Sequence, residues 1–206
     1  MSDTTRTFVA LAVPDPLTLR ISRLQEQLAG AVEGVRWEVA SPFHITLAFL
    51  GDVAHSDLVT VCRTVQDEAR NFTPLTLQLE GLGAFPDVTR ARVVWSAISG
   101  PDLSTLLELQ AAIARDVALV HYPTDQKPFH PHVTLGRAAH GHRRGRNSSP
   151  APDISRLVNH YKTWRAGPFT VNEVITFSST LTRDGPVYAP LGRAPFASAK
   201  SCKSAP

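Results

Sequence analysis

The chain has 206 residues, of which 43% are apolar and 19% charged, a composition that suits one large globular domain or two small lobes around a buried core. No apolar run approaches the roughly 20 residues needed to cross a bilayer, no secretory signal pattern opens the chain, and the two cysteines, Cys62 and Cys202, are too few for a disulfide framework. The expectation is a cytoplasmic monomer away from membranes. The net charge of +3 is local: Arg137, Arg143, Arg144 and Arg146 crowd one acid-free window and exceed the whole excess. Such a loop either holds a polyanion near a site or is a solvated surface segment.

Residues 7–13 read as a strand stopped by Pro14. Asp15 opens a helix to Ala29, with Leu17, Ile21, Leu24 and Leu28 on one face. Residues 35–39 form a short strand carrying Trp37, and Ser41-Pro42 breaks the chain before a strand over 43–50, ended by Gly51. Residues 57–70 are helical, with Leu58, Val61, Cys62, Val65 and Ala69 inward. Leu75, Leu77 and Leu79 alternate with polar residues as in a half-buried strand. A strand over 91–98 follows. Pro101-Asp102 then opens a helix with Leu103, Leu106, Leu107, Ala111, Ala114 and Val117 facing inward. A strand over 129–137, a polar loop, a helix opened by Asp153, one strand over 169–179 and a return over 186–190 after Asp184-Gly185 complete the pattern. The expected organisation is one domain over 1–196 and a disordered tail over 197–206.

Within this order one tetrapeptide occurs twice, as His44-Ile45-Thr46-Leu47 and His132-Val133-Thr134-Leu135, 88 residues apart. Pro14-Asp15 and Pro101-Asp102 keep nearly that offset, and Pro74-Leu75-Thr76-Leu77 resembles Pro168-Phe169-Thr170-Val171. The repeat predicts two related lobes, each contributing one His-x-Thr strand. Side chains alternate faces along a strand. Each histidine therefore shares a polar face with its threonine, while Ile45, Leu47, Val133 and Leu135 turn to the core.

Imidazole titrates near pH 6.5, so a neutral and a charged histidine can coexist at neutral pH. The neutral ring can take a proton from water and the charged ring can protonate a leaving oxygen. Two threonine hydroxyls can bind the non-bridging oxygens of a phosphorus centre between the rings. A metal site of His44, His130 and His132 is the weaker reading, because no carboxylate, thiolate or His-x-x-x-His helix lies at ligand spacing. His130 either lines the rim or orients a ring. Gly-rich phosphate loops and Gly-x-Ser-x-Gly elbows are absent.

These motifs, with Arg6-Thr7-Phe8-Val9-Ala10, Ala48-Phe49-Leu50-Gly51, Arg92-Val93-Val94-Trp95 and Pro128-Phe129-His130-Pro131 around them, resemble the 2H phosphoesterases. The match is to the RNA 2′,3′-cyclic phosphodiesterases, also called 2′-5′ RNA ligase-like proteins, over residues 6–196. The resemblance implies an α/β fold of the α+β type, a bilobal pseudo-symmetric duplication with two antiparallel sheets and outer helices around a central cleft. It implies cofactor-free, metal-independent opening of a terminal 2′,3′-cyclic phosphate to a 2′-phosphate. RNA ends or small cyclic nucleotides are the implied substrates. His44 and His132 carry over as the acid–base pair, with His44 as proton donor and His132 as acceptor once substrate orientation breaks the symmetry. Thr46 and Thr134 carry over as phosphate binders. Arg137 is a further phosphate or RNA contact if the strand bulges at Gly136, since alternation alone turns it away from Thr134. Phe49 either stacks on a base or is a core aromatic. The alternatives are a nucleotide- or RNA-binding module without turnover, and 2′-5′ RNA joining or small cyclic phosphate hydrolysis at the same centre.

Overall fold

The computed structural model describes residues 3–38, 43–124, 127–139, 151–182 and 185–198. Arg143, Arg144, Arg146, His140, His142, Pro42, Asp184 and Cys202 lie outside the described residues, so the basic-loop, Ser-Pro and hairpin-turn expectations fall there. The elements in order are β1 (Thr4–Ala12), α1 (Asp15–Ala29), β2 (Val35–Trp37), β3 (His44–Ala54), α2 (Leu58–Ala69), β4 (Leu75–Phe85), β5 (Val93–Ser99), α3 (Leu103–Leu119), β6 (His132–Ala138), α4 (Ser155–His160), β7 (Arg165–Val171), β8 (Glu173–Thr182) and β9 (Gly185–Pro195).

All pairings are antiparallel, in the order β7-β4-β5-β6-β3-β1-β8-β9, with β2 added on β6. Read from its middle, the order is pseudo-symmetric: β3, β1, β8, β9 on one side answer β6, β5, β4, β7 on the other. The two expected sheets are thus hydrogen-bonded into one, and their seam is a single register pair, Ile45 opposite Val133. The repeat also crosses over. β4, from the first half, sits in the second half's sheet, and β8 completes the first. The counterpart of β4 is therefore β8. β7 is the neighbour of β4, with Leu75 opposite Val171, so the Pro74/Pro168 similarity reflects pairing partners rather than equivalent strands.

The single strand expected over 169–179 is two strands, separated at Asn172. β7 pairs with β4 and β8 with β1, at opposite ends of the sheet. Continuous apolar alternation on both sides of the corner conceals it. β3 runs on through Gly51, which takes φ 71°, a conformation glycine adopts without a Cβ clash.

Helices α1, α2 and α3 cover one face of the sheet, joined to it by Leu17, Ile21, Leu24, Leu28, Val61, Val65, Leu106, Leu109, Ile113 and Val117. In α3 the inward stripe is Leu106, Leu109, Ala112, Ile113 and Val117, while Leu107 is 42% exposed. The expected stripe through Leu107 and Ala111 is rotated away from the core, because α3 packs on both α2 and the sheet. β1 is buried on both faces: Val9 and Leu11 meet the helices, and Phe8 and Ala10 join Ile175 and Phe177 on the opposite side. That explains its unbroken apolar run. Among the described residues no helix is long and apolar enough to cross a membrane.

Candidate active site

β3 and β6 meet at the seam, which brings the two repeated tetrapeptides side by side. From Ile45 opposite Val133, one antiparallel step in either direction sets His44 across from Thr134 and Thr46 across from His132. All four line one cleft of about 680 Å³. Ile45 and Val133, both 0% exposed, turn to the helices. The histidines are diagonal neighbours, for which ladder geometry gives roughly 7–8 Å between strands.

Both motif strands carry a β-bulge at the same place. On β3, Ala48 and Thr46 face consecutive residues of β1, Val9 and Ala10, so Leu47 is the extra residue. On β6, Gly136 and Thr134 face Val94 and Trp95, consecutive on β5, so Leu135 is the extra residue. A bulge reverses which face the following side chains take. It turns Phe49 and Arg137, each five positions beyond its histidine, into the cleft. Phe49 is 61% exposed, which excludes the core-aromatic alternative. Arg137 reaches the face of Thr134 as the bulge condition required, with the bulge at Leu135 rather than Gly136. Gly136 has its own constraint: a Cβ there would meet the side chains of Val35 and Trp37 at 2.8 and 2.9 Å.

The two rings have different surroundings. His44 rests on an aromatic bed, with Phe8 at 5.1 Å, Tyr188 edge-on at 5.3 Å and Phe177 at 6.4 Å between centroids. His132 has Phe85 edge-on at 5.0 Å and Trp95 at 5.9 Å. The Trp95 indole lies where a Cβ of residue 83 would be, so only glycine fits there. His132 Nδ1 lies 2.6 Å from the main-chain carbonyl of His130. A carbonyl only accepts, so Nδ1 carries the proton, and in the neutral ring Nε2 keeps its lone pair. Burial holds the His132 pKa below the ordinary histidine value; the carbonyl opposes this, and the charges of Arg137 and His130 add to it. His130 therefore meets His132 through its backbone, while its imidazole lies 6.2 Å from Phe85.

Arg137 Nε donates to Glu38 Oε1 at 3.2 Å. Glu38, Arg6, Arg36 and Tyr188 also line the cleft and were absent from the sequence-based set. For Arg6 the signal was present: it alternates with Phe8 and Ala10 on the cleft face of β1. Arg36 pairs in register with Arg137 across β2 and β6, a relation no local spacing encodes. Tyr188 arrives from β9 through the β8–β9 register, equally non-local. Burial and the Glu38 charge raise its pKa, against Arg137 and Arg6. Among the described residues no three His, Cys, Asp or Glu side chains are grouped as a metal ion requires. Cys62 is a free, half-buried thiol.

Comparison with known proteins follows the same lines. The family model described as "LigT like Phosphoesterase" matches residues 11–95 and again residues 100–188, one match for each half. An RNA 2′,3′-cyclic phosphodiesterase of Aquifex aeolicus is 30% identical over 184 residues, covering 89% of this chain and 93% of the relative. One from Methanothermobacter thermautotrophicus is 28% identical, covering 89% and 94%. Among solved structures, E. coli LigT complexed with 3′-AMP superimposes with a TM-score of 0.71 at 25% identity, over 94% of this chain and 98% of that one. A Thermus thermophilus protein shares the fold with a TM-score of 0.71 at 23% identity, over 94% and 99%. Two matches to one family model, a doubled motif on adjoining strands and a relative aligned over nearly its whole length lead to one conclusion: the chain belongs to the LigT-like phosphoesterases of the 2H superfamily.

Proposed function

We propose that this protein hydrolyses the terminal 2′,3′-cyclic phosphate of RNA to a 2′-phosphate without a metal ion. The observation that carries the reading is the convergence of His44, Thr46, His132 and Thr134 on one cleft from two strands paired only at Ile45 and Val133. The names of the relatives supply the substrate class.

In the proposed reaction His132 is the base and His44 the acid. The Nε2 lone pair of His132 takes a proton from water as the water oxygen attacks phosphorus. The bond from phosphorus to the 3′ oxygen breaks, and that oxygen takes a proton from His44. The products are a 3′-hydroxyl and a 2′-phosphate. The tautomer set by the His130 carbonyl and the depressed pKa of His132 support this direction, since a base must be neutral at working pH. Thr46 and Thr134 donate to the non-bridging oxygens as negative charge gathers on them. Arg137 adds positive charge at the rim, with Glu38 fixing its orientation. Phe49 offers an exposed ring for a base to stack on. A monomer in a reducing cytoplasm completes the reading.

The test is an oligonucleotide ending in a 2′,3′-cyclic phosphate, incubated with the purified protein and EDTA. The expected product carries a 2′-phosphate. A cyclic end that stays bound and intact would identify a binding module, and hydrolysis abolished by EDTA would reject metal independence.

A further inference from the structure

Each of the two bulges is held from behind by a glutamine. A bulged residue drops out of the ladder on that side, and its backbone carbonyl is open to a donor from outside that ladder. On β3 the bulged residue is Leu47, and its carbonyl accepts from Gln110 Nε2 of α3 at 3.2 Å. On β6 it is Leu135, and its carbonyl accepts from Gln25 Nε2 of α1 at 2.7 Å as well as from the Glu38 main-chain N–H at 2.9 Å. The same Gln25 amide donates to the Glu38 carbonyl at 2.9 Å, at the root of the residue that orients Arg137. The arrangement is reciprocal. The helix of the first half holds the motif strand of the second, and the helix of the second half holds the motif strand of the first.

We propose that Gln25 and Gln110 are positioning residues that set the separation of the two His-x-Thr arms. The proposal rests on the phosphodiesterase reading of the cleft. Its logic is mechanical. One register pair is all that joins β3 to β6, so the ladder does little to fix how far the strands splay. The bulges decide which side chains enter the cleft, and each bulge is anchored from behind by an amide that never touches substrate. Gln25 is buried at 7% exposure, away from the cleft lining. A polar side chain so placed is costly unless its hydrogen bonds are made, and Gln25 makes two.

The experiment uses Gln25→Met, Gln110→Met and the double variant, since methionine keeps the volume and removes the donors. Each is compared with wild type in kcat and KM on the cyclic-phosphate oligonucleotide, in Tm, and in affinity for inorganic phosphate. Each single variant is expected to lose about tenfold to a hundredfold in kcat per folded molecule, as small misplacements of reacting groups do. The Tm losses add, because the two sites are separate. The kcat losses do not multiply, because the arms act as one unit and either displacement spoils it. Unchanged kcat in either folded single variant overturns the proposal, and so do losses that multiply. Should Gln25→Met fail to fold, Gln110→Met decides alone by the same kcat criterion. Wild-type turnover with unaffected variants rejects the clamp and leaves the function standing. A wild type without turnover rejects the function, and the phosphate affinities then judge the clamp: weaker binding in each single variant supports it, equal binding ends it.

Discussion

The two arms of the cleft begin with the same tetrapeptide and end with different chemistry. Five residues beyond its histidine, the first arm presents Phe49 and the second Arg137, both turned inward by equivalent bulges. Behind the first histidine lie Phe8, Phe177 and Tyr188. Behind the second lie Phe85, Trp95 and a carbonyl that fixes the tautomer. In the proposed reaction the repeated residues supply what a phosphate needs twice over. The residues that differ give the cleft a direction, aromatic on the first arm and charged on the second. Duplication thus builds a symmetric pair of arms, and divergence around them makes the cleft asymmetric.

The strongest way to break this comparison is to remove the rings. His44→Ala and His132→Ala are each expected to lower kcat by about 10²–10⁴, with Tm near that of wild type. The roles separate with a substrate bearing sulfur in place of the 3′ oxygen. A thiolate leaves without a proton, so this substrate restores turnover to His44→Ala and not to His132→Ala. The reverse pattern would exchange acid and base. Next in size, Thr46→Val and Thr134→Val should each cost about 10² in kcat with little change in KM, as lost transition-state donors do. A rise in KM alone would reduce them to ground-state contacts.

The differing positions give smaller effects. Phe49→Ala should raise KM about tenfold for an RNA end, by loss of base stacking, and leave a cyclic phosphate lacking a base unaffected. Arg137→Ala should raise KM for both substrates and flatten the salt dependence. The pH profile sharpens the comparison further. Because His132 is held below the ordinary value, the acid limb of kcat/KM is expected below about pH 6.5. A limb at or above that value would assign the base elsewhere. The smallest effect is on stability. The folded state binds the His132 proton less readily than the unfolded chain, so the contribution is complete above about pH 6.5 and is lost as pH falls through the lowered folded value. His132→Gln should remove that part of the acid dependence of Tm.

Much of the fold was legible because its signals are local. The apolar stripe of α1 and the alternation at Leu75, Leu77 and Leu79 both match their burial. The placement of His44, Thr46, His132 and Thr134 on one polar face needed only period-two alternation and a repeat. What escaped depends on pairing. Phe49 and Arg137 change face at bulges set by β1 and β5, strands distant in sequence. The corner at Asn172 separates segments that look continuous, and the crossover of β4 with β8 is a property of the assembled sheet. Glu38, Arg36 and Tyr188 reach the cleft through the β2–β6 and β8–β9 pairings. The glutamines give no motif signal, since their work is done on a neighbouring strand's carbonyl.

The exchange of β4 and β8 has a consequence for biogenesis. β1 needs β8 on its outer side, and β8 needs β9. A ribosome that has released only the first 160 residues has made both histidines, yet it leaves β1 with an open edge and no Phe177 or Tyr188 behind His44. The proposed site is therefore expected to be complete only once the β8–β9 hairpin has emerged.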